Sequence, residues 1–204
     1  MLRLPFTVPE HLDAAVAALR GTLAEHGVAA VPTETFYGLA VAPDDPVAVR
    51  RVYVLKGRPE ARALPVIGAS LTQLESLVIV PEGWRGRLAA AWPAAFTAIL
   101  GARMALAAAG GTVAVRVPGH VLLRALLASV GPLTATSANR SGSMPLTHAD
   151  EVADALGASL SLLLDGGETP GGVPSTLLDL TSGQPRVVRR GRWQPPYEWG
   201  VLEA

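Results

Sequence analysis

Lys56 is the only lysine in a chain of 204 residues that carries sixteen arginines. An ammonium is a compact, movable point charge, whereas a guanidinium is a rigid planar fork. The stretch VLKGRP (Val54 to Pro59) therefore holds either a helix-end charge beside a Gly-Arg-Pro turn or a group kept for ammonium chemistry. Five more polar clusters carry hydroxyls, amides and cations: PTETFYGLA (Pro32 to Ala40), VRVPGH (Val115 to His120), TATSANRSG (Thr134 to Gly142), VPSTLLDL (Val173 to Leu180) and VVRRG (Val187 to Gly191). Cations mixed with short neutral donors suit the binding of anions. Taken singly, Thr33 and Thr35 read equally well as turn hydroxyls, and Ser-Ala-Asn followed by Ser-Gly as ordinary loop composition.

The elements that must position these clusters alternate. Thr7-Val8-Pro9-Glu10 has the form of a capping box, and Leu12, Val16, Leu19 and Leu23 then recur at helical spacing before Gly27. VAAVP (Val28 to Pro32) reads as a buried strand, and Asp45-Pro46 opens a helix that delivers Lys56 at its C-terminal end. LPVIG, FTAIL, TVAVRV, LTAT, SLLLD, STLLDL and PRVVR read as further strands. Helices are expected after Ser70, along PEGWRGRLAAAW, and near His120 to Ala128 and His148 to Leu156. Each polar cluster thus falls at the end of a strand or helix, where α/β proteins place ligand groups. In TVAVRV the period of two puts Val113, Val115 and Val117 on one face and Thr112, Ala114 and Arg116 on the other. The expectation is one α/β (α+β) domain, residues 1–204, built on a mixed β-sheet flanked by helices. The tail RWQPPYEWGVLEA is expected to pack through its aromatics or to fray.

Bulk properties exclude several classes. Seventeen basic and seventeen acidic side chains cancel, which removes the signature of a protein that holds nucleic acid mainly by neutralising phosphates. There is no cysteine, so disulfides, thiolate catalysis and cysteine metal sites are ruled out. The four histidines, His11, His26, His120 and His148, lack metal spacing and read as surface or helix-terminal residues. Walker, G-x-G-x-x-G, H-E-x-x-H and G-x-S-x-G patterns are absent. The most apolar stretch, Leu88 to Leu100, is too short for a bilayer span and contains Pro93. The first residues are interrupted by Arg3, Pro5 and Pro9 and do not read as an export signal. No membrane association and a cytoplasmic location are expected.

Taken in order, P-T-E-T-x-Y-G-L, K-x-R-P, V-R-x-P-x-H, T-S-A-N-x-S-G and P-S-T-x-x-D resemble the YrdC family of threonylcarbamoyl-AMP synthases, from about Val28 to Gly191. The resemblance implies a short, single-domain form with a twisted sheet around a concave, locally positive cavity. It implies a nucleotidyltransferase that makes threonylcarbamoyl-adenylate from L-threonine, bicarbonate or carbon dioxide, and ATP, releasing pyrophosphate. The product would feed the threonylcarbamoyladenosine modification of tRNA through partner transferase proteins. ATP would enter with Mg2+, and no protein-only metal site or permanent cofactor is implied.

The same resemblance assigns roles. Lys56 and Arg58 would hold nucleotide and bicarbonate, one as a point charge and the other as a fork. Ser137 and Asn139 would offer neutral donors to phosphate oxygens, and Arg189 would close the nucleotide side, with Arg190 competing for that place. Thr33, Arg116 and Ser175 would read threonine, Arg116 taking its carboxylate, with Thr35, Tyr37 and Thr176 completing the pocket. Glu34 either orients Lys56 or caps a turn and receives no catalytic role. The chain departs from the family pattern at Ala63, Ile67, Ala94 and Ala95. Two other readings remain: a double-stranded RNA or tRNA-binding module, and a paralogue of the same fold with another carbamoyl acceptor.

Overall fold

The computed structural model describes residues 1–57 and 63–202. From the N-terminus, β1 (Leu2–Pro5) leads through a 3-10 turn into α1 (Leu12–Ala24), followed by β2 (Ala29–Pro32), β3 (Tyr37–Ala40) and α2 (Pro46–Lys56). Next come β4 (Val66–Ile67), α3 (Leu71–Leu74), β5 (Val78–Ile79), α4 (Trp84–Ala91), β6 (Phe96–Ala102) and β7 (Thr112–Arg116). Then follow α5 (Val121–Val130), β8 (Leu133–Thr134), β9 (Thr136–Ser137), α6 (Ala149–Leu156), β10 (Leu162–Asp165), β11 (Thr176–Asp179) and β12 (Arg186–Arg189).

The strands form two sheets. One runs β1-β10-β2-β3-β9, the other β12-β11-β6-β7-β4-β8 with β5 beside β6. Both mix parallel and antiparallel pairs, as expected of the α/β reading. The chain passes between the sheets after β3, β8 and β10, and β8 and β9 are separated only by Ala135.

Burial follows from strand periodicity. β2 is buried on both faces and reads as a continuous apolar run, the pattern of a central strand between helices. Ala29, Val31, Leu162 and Leu164 pack with α1 and α5, whereas Ala30, Leu39 and Leu163 pack with α2 and α6. In the second sheet Val113 and Val115 turn into a core with Trp84, Leu88 and Phe96. Ala114 and Arg116, on the opposite face, are left to line a cavity between the sheets.

The local signals explain the helix boundaries. Asp45 accepts hydrogen bonds from the N–H groups of Val47 and Ala48 (3.0 and 3.1 Å), Pro46 occupies the first turn, and Gly57 closes α2 in the left-handed conformation at φ 60°. Ser70 caps α3 by accepting from Gln73 N at 3.1 Å. The capping box expected at Thr7 does not form. A 3-10 turn over Pro9–His11 precedes α1, and Thr7 N donates to His11 Nδ1 at 3.2 Å. The tail packs through its aromatics: Trp193 stacks on Phe96 with centroids 4.2 Å apart, and Trp199 meets Trp84 edge-on at 5.1 Å.

Candidate functional site

Strands of both sheets and the segments that connect them line a cavity of about 350 Å³. Thr33, Thr35, Arg116, Ser137, Ser175 and Arg189 all line it, drawn from both sheets, although they lie far apart in the chain. Lys56 and Asn139 meet beside the end of β9, whose last residue is Ser137. Arg58 lies outside the described residues.

The Thr33 hydroxyl donates to the Phe36 carbonyl at 2.8 Å and accepts from Thr35 N at 3.1 Å, with Thr35 Oγ1 3.1 Å away. This folds the segment before β3 into a tight turn that presents both hydroxyls. Tyr37 anchors the turn: its phenol donates to Gly167 O (2.8 Å) and accepts from Gly166 N (3.0 Å). Burial pushes its pKa up to about 12, so it stays a neutral donor. The Tyr37 hydroxyl is therefore engaged with the turn after β10.

Arg116 is 7% exposed, and desolvation lowers its pKa while the Glu34 carboxylate opposes that shift. Glu34 Oε1 lies 2.9 Å from Arg116 Nη1. The approach is off the N–H axis, because neither buried Glu34 oxygen has a hydrogen-bond partner among the described residues. Glu34 thus serves as the buried counter-charge of Arg116, not of Lys56. Proximity in sequence to Thr33 gave no hint of this, since the pair spans the two sheets.

Ser175 Oγ is 2.8 Å from Thr97 Oγ1, and its carbonyl accepts from Arg189 Nε and Nη2 at 3.2 and 2.9 Å. Desolvation, and then the Arg116 guanidinium, hold the Arg189 pKa below the usual arginine value. Two guanidiniums near enough to oppose each other's charge face one cavity, which favours an anion there. Thr97 was not foreseen as a site residue; it sits on β6 beside Ser175, the residue before β11, and the two strands pair in parallel. The Thr176 hydroxyl donates to the Trp193 carbonyl and serves the tail.

Lys56 is 4% exposed and its ammonium faces the loop after β9. Nζ donates to Ser137 O at 2.5 Å, Asn139 O at 3.0 Å and Asn139 Oδ1 at 3.0 Å. Ser137 Oγ donates to Asn139 Oδ1 at 2.6 Å, and Asn139 Nδ2 donates to Ser143 O at 2.6 Å. The donors that sequence reading offered to phosphates here bind one another, and Lys56 clamps the segment that brings Ser137 to the cavity.

Ala63 and Ile67 line the cavity, so two of the departures fall on its wall and both present apolar side chains there. Ala94 and Ala95 each make a backbone hydrogen bond, Ala94 N donating to Val117 O and Ala95 O accepting from Thr176 N, and Ala94 also packs against the core of the second sheet. Gly191 is fixed by close approach: a Cβ there would fall 2.3 Å from Pro174 O and Thr176 N. Gly191→Ala is expected to displace the Ser175 strand end and cost about 1–3 kcal/mol. An unchanged thermal midpoint would show that this contact is slack.

The family model described as Sua5/YciO/YrdC, telomere recombination, matches residues 22–191. The threonylcarbamoyl-AMP synthase of Chromohalobacter salexigens is 39% identical over 84% of this chain and 93% of its own length. The threonylcarbamoyl-AMP synthase of Bacillus subtilis is 38% identical over 88% of this chain, which spans about half of that protein, 54%. The crystal structure of Pyrococcus abyssi Sua5 complexed with L-threonine superimposes with a TM-score of 0.84 at 34% identity, covering 93% of this chain and 57% of that one. With a family match across most of its length and the same fold, the chain belongs to the Sua5/YciO/YrdC family.

Proposed function

We propose that this chain is an ATP-dependent L-threonylcarbamoyladenylate synthase. The observation that carries the reading is the convergence of Thr33, Thr35, Arg116, Ser137, Ser175 and Arg189 on one cavity. Relatives named for this activity, and a Sua5 structure complexed with L-threonine, support it.

In this reading the threonine amine attacks bicarbonate or carbon dioxide to give a carbamate, with loss of water when bicarbonate is used and of a proton when carbon dioxide is used. A carbamate oxygen then attacks the α-phosphorus of ATP, the bond to the bridging oxygen breaks, and pyrophosphate leaves with the electron pair. Both reactants are anionic, so the site must cancel repulsion and hold them in line. Arg116 takes the amino-acid carboxylate, with Thr33, Thr35 and Ser175 as short hydrogen-bonding partners. Arg189 faces the nucleotide, Ser137 reaches it by turning its hydroxyl away from Asn139 Oδ1, and Lys56 and Asn139 hold the end of β9 in place. Arg58 is proposed as a further phosphate contact. Mg2+ enters on the nucleotide's phosphates, as part of the substrate. The product would pass to tRNA-modifying transferase proteins.

Incubation with ATP, Mg2+, bicarbonate and threonine is expected to release pyrophosphate only when threonine is present. Folded protein that releases none, or that does so equally with another amino acid in place of threonine, would overturn the reading.

A further inference from the structure

On α2, Val47, Arg50, Arg51 and Val54 stand at i, i+3, i+4 and i+7 and so share one face. A groove of about 660 Å³ runs along it, lined also by Leu55, Arg140 and Ser159. Val54 is 74% exposed and Val47 47% exposed. Arg51 is held in place through Nη1, which donates to the carbonyls of Glu25 (3.1 Å) and His26 (2.7 Å). Arg140 projects from the loop after β9. Among the described residues that line the groove there is no carboxylate, and Arg50, Arg51 and Arg140 bring three guanidiniums to it.

The groove therefore offers an aliphatic centre between cationic flanks. We propose that it docks a partner protein through an acidic amphipathic helix. Two valines about 10 Å apart along the helix axis match aliphatic side chains two turns apart on a second helix. Glutamate or aspartate on both sides of that stripe would meet the arginines, and the complementary charge would steer the encounter.

Other occupants fit less well. A nucleic acid satisfies the guanidiniums but sets phosphates over two exposed valines. The chain's own acidic helix, α6, turns Val152 and Leu156 inward and exposes Asp150, Glu151 and Asp154 without an aliphatic stripe, so a second copy lacks the apolar half. The site does not depend on the reaction proposed above. It does lie beside that reaction's machinery: Arg140 follows Asn139, whose oxygens hold Lys56 Nζ, and Ser141 N donates to Lys56 O at 2.8 Å. A partner seated there would rest on the outer side of the loop that follows Ser137.

The test is an NMR titration of the isotopically labelled full chain with three probes. The first is a designed helical peptide of about 16 residues, with leucines two turns apart and glutamates on both sides. The others are its scrambled isomer and a short RNA duplex. The peptide is expected to shift the amides of Val47, Arg50, Arg51, Val54 and Arg140, with the scrambled isomer at least about tenfold weaker, a difference of about 1.4 kcal/mol. Val54→Glu and Arg140→Glu should each weaken the peptide by a similar factor, with melting unchanged because both side chains are exposed. No shift on this face with the designed peptide at millimolar concentration overturns the proposal. So does an RNA duplex that binds the face more tightly than the peptide. A dimer seen by light scattering and lost in Val54→Glu would assign the face to a second copy and equally overturn it.

Discussion

Arg116→Gln is expected to abolish threonine-dependent pyrophosphate release, by about 100-fold or more, and to destabilise the chain by about 3–5 kcal/mol. The two losses have different origins. Removing the guanidinium strands the Glu34 carboxylate, whose buried oxygens have no hydrogen-bond partner among the described residues to fall back on. An uncompensated buried charge is what makes breaking such pairs costly, even where the intact pair adds little. The double variant Glu34→Gln, Arg116→Gln removes both charges and should recover most of the stability. It should not recover activity, because the proposed partner of the amino-acid carboxylate is still missing. Denaturant unfolding and threonine titration of the four proteins in the cycle separate the two effects. Equal stability in all four would mean that the 2.9 Å contact carries no net energy. Activity restored in the double variant would remove Arg116 from threonine recognition.

Arg116 also shows what was legible. The period of two in TVAVRV put it opposite the valine face, and β7 turns Val113 and Val115 into the core and Arg116 into the cavity. Its counter-charge was not legible, because Glu34 meets it only after the two sheets have formed. Caps and helix ends were readable for the same local reason at Asp45, Ser70 and Gly57. Thr7 failed because the Pro9–His11 turn, which the capping pattern does not encode, displaced the start of α1.

Strands divided by length and setting. β6 and β7 are long enough to show alternation, whereas β5 and β9 have two residues each and no period to detect. β1 carries Pro5 and Arg3 because it is an edge strand paired on one side to β10, and its sequence therefore resembles a loop. β3 was hidden inside PTETFYGLA, where hydroxyl-rich turn and buried strand run together without a break. The residue types in the polar clusters could be read singly; their convergence depended on crossovers that no local pattern records.

Lys56→Arg conserves charge and is expected to lower pyrophosphate release by about 100-fold, the loss seen when a positioned polar group is removed. The ammonium occupies a pocket with 4% exposure and aims its donors at Ser137 O, Asn139 O and Asn139 Oδ1. Three acceptors around one nitrogen suit a tetrahedral donor; a planar fork is longer and directs its N–H groups in one plane. Forcing it in costs about 1–3 kcal/mol of overpacking and leaves at least one of the acceptors unmet. The strain should appear first in the loop, because Ser141 N is bonded to Lys56 O and Asn139 Nδ2 to Ser143 O. Hydrogen exchange at Ser141 is therefore expected to accelerate while amides in β2 and β10 stay protected. That pattern would identify Lys56 as a positioning residue whose ammonium sets Ser137 toward the nucleotide. Normal exchange at Ser141 with lost activity would instead put the ammonium in direct contact with substrate during the reaction. Near-normal activity would leave the chain's single lysine as an ordinary helix-end charge.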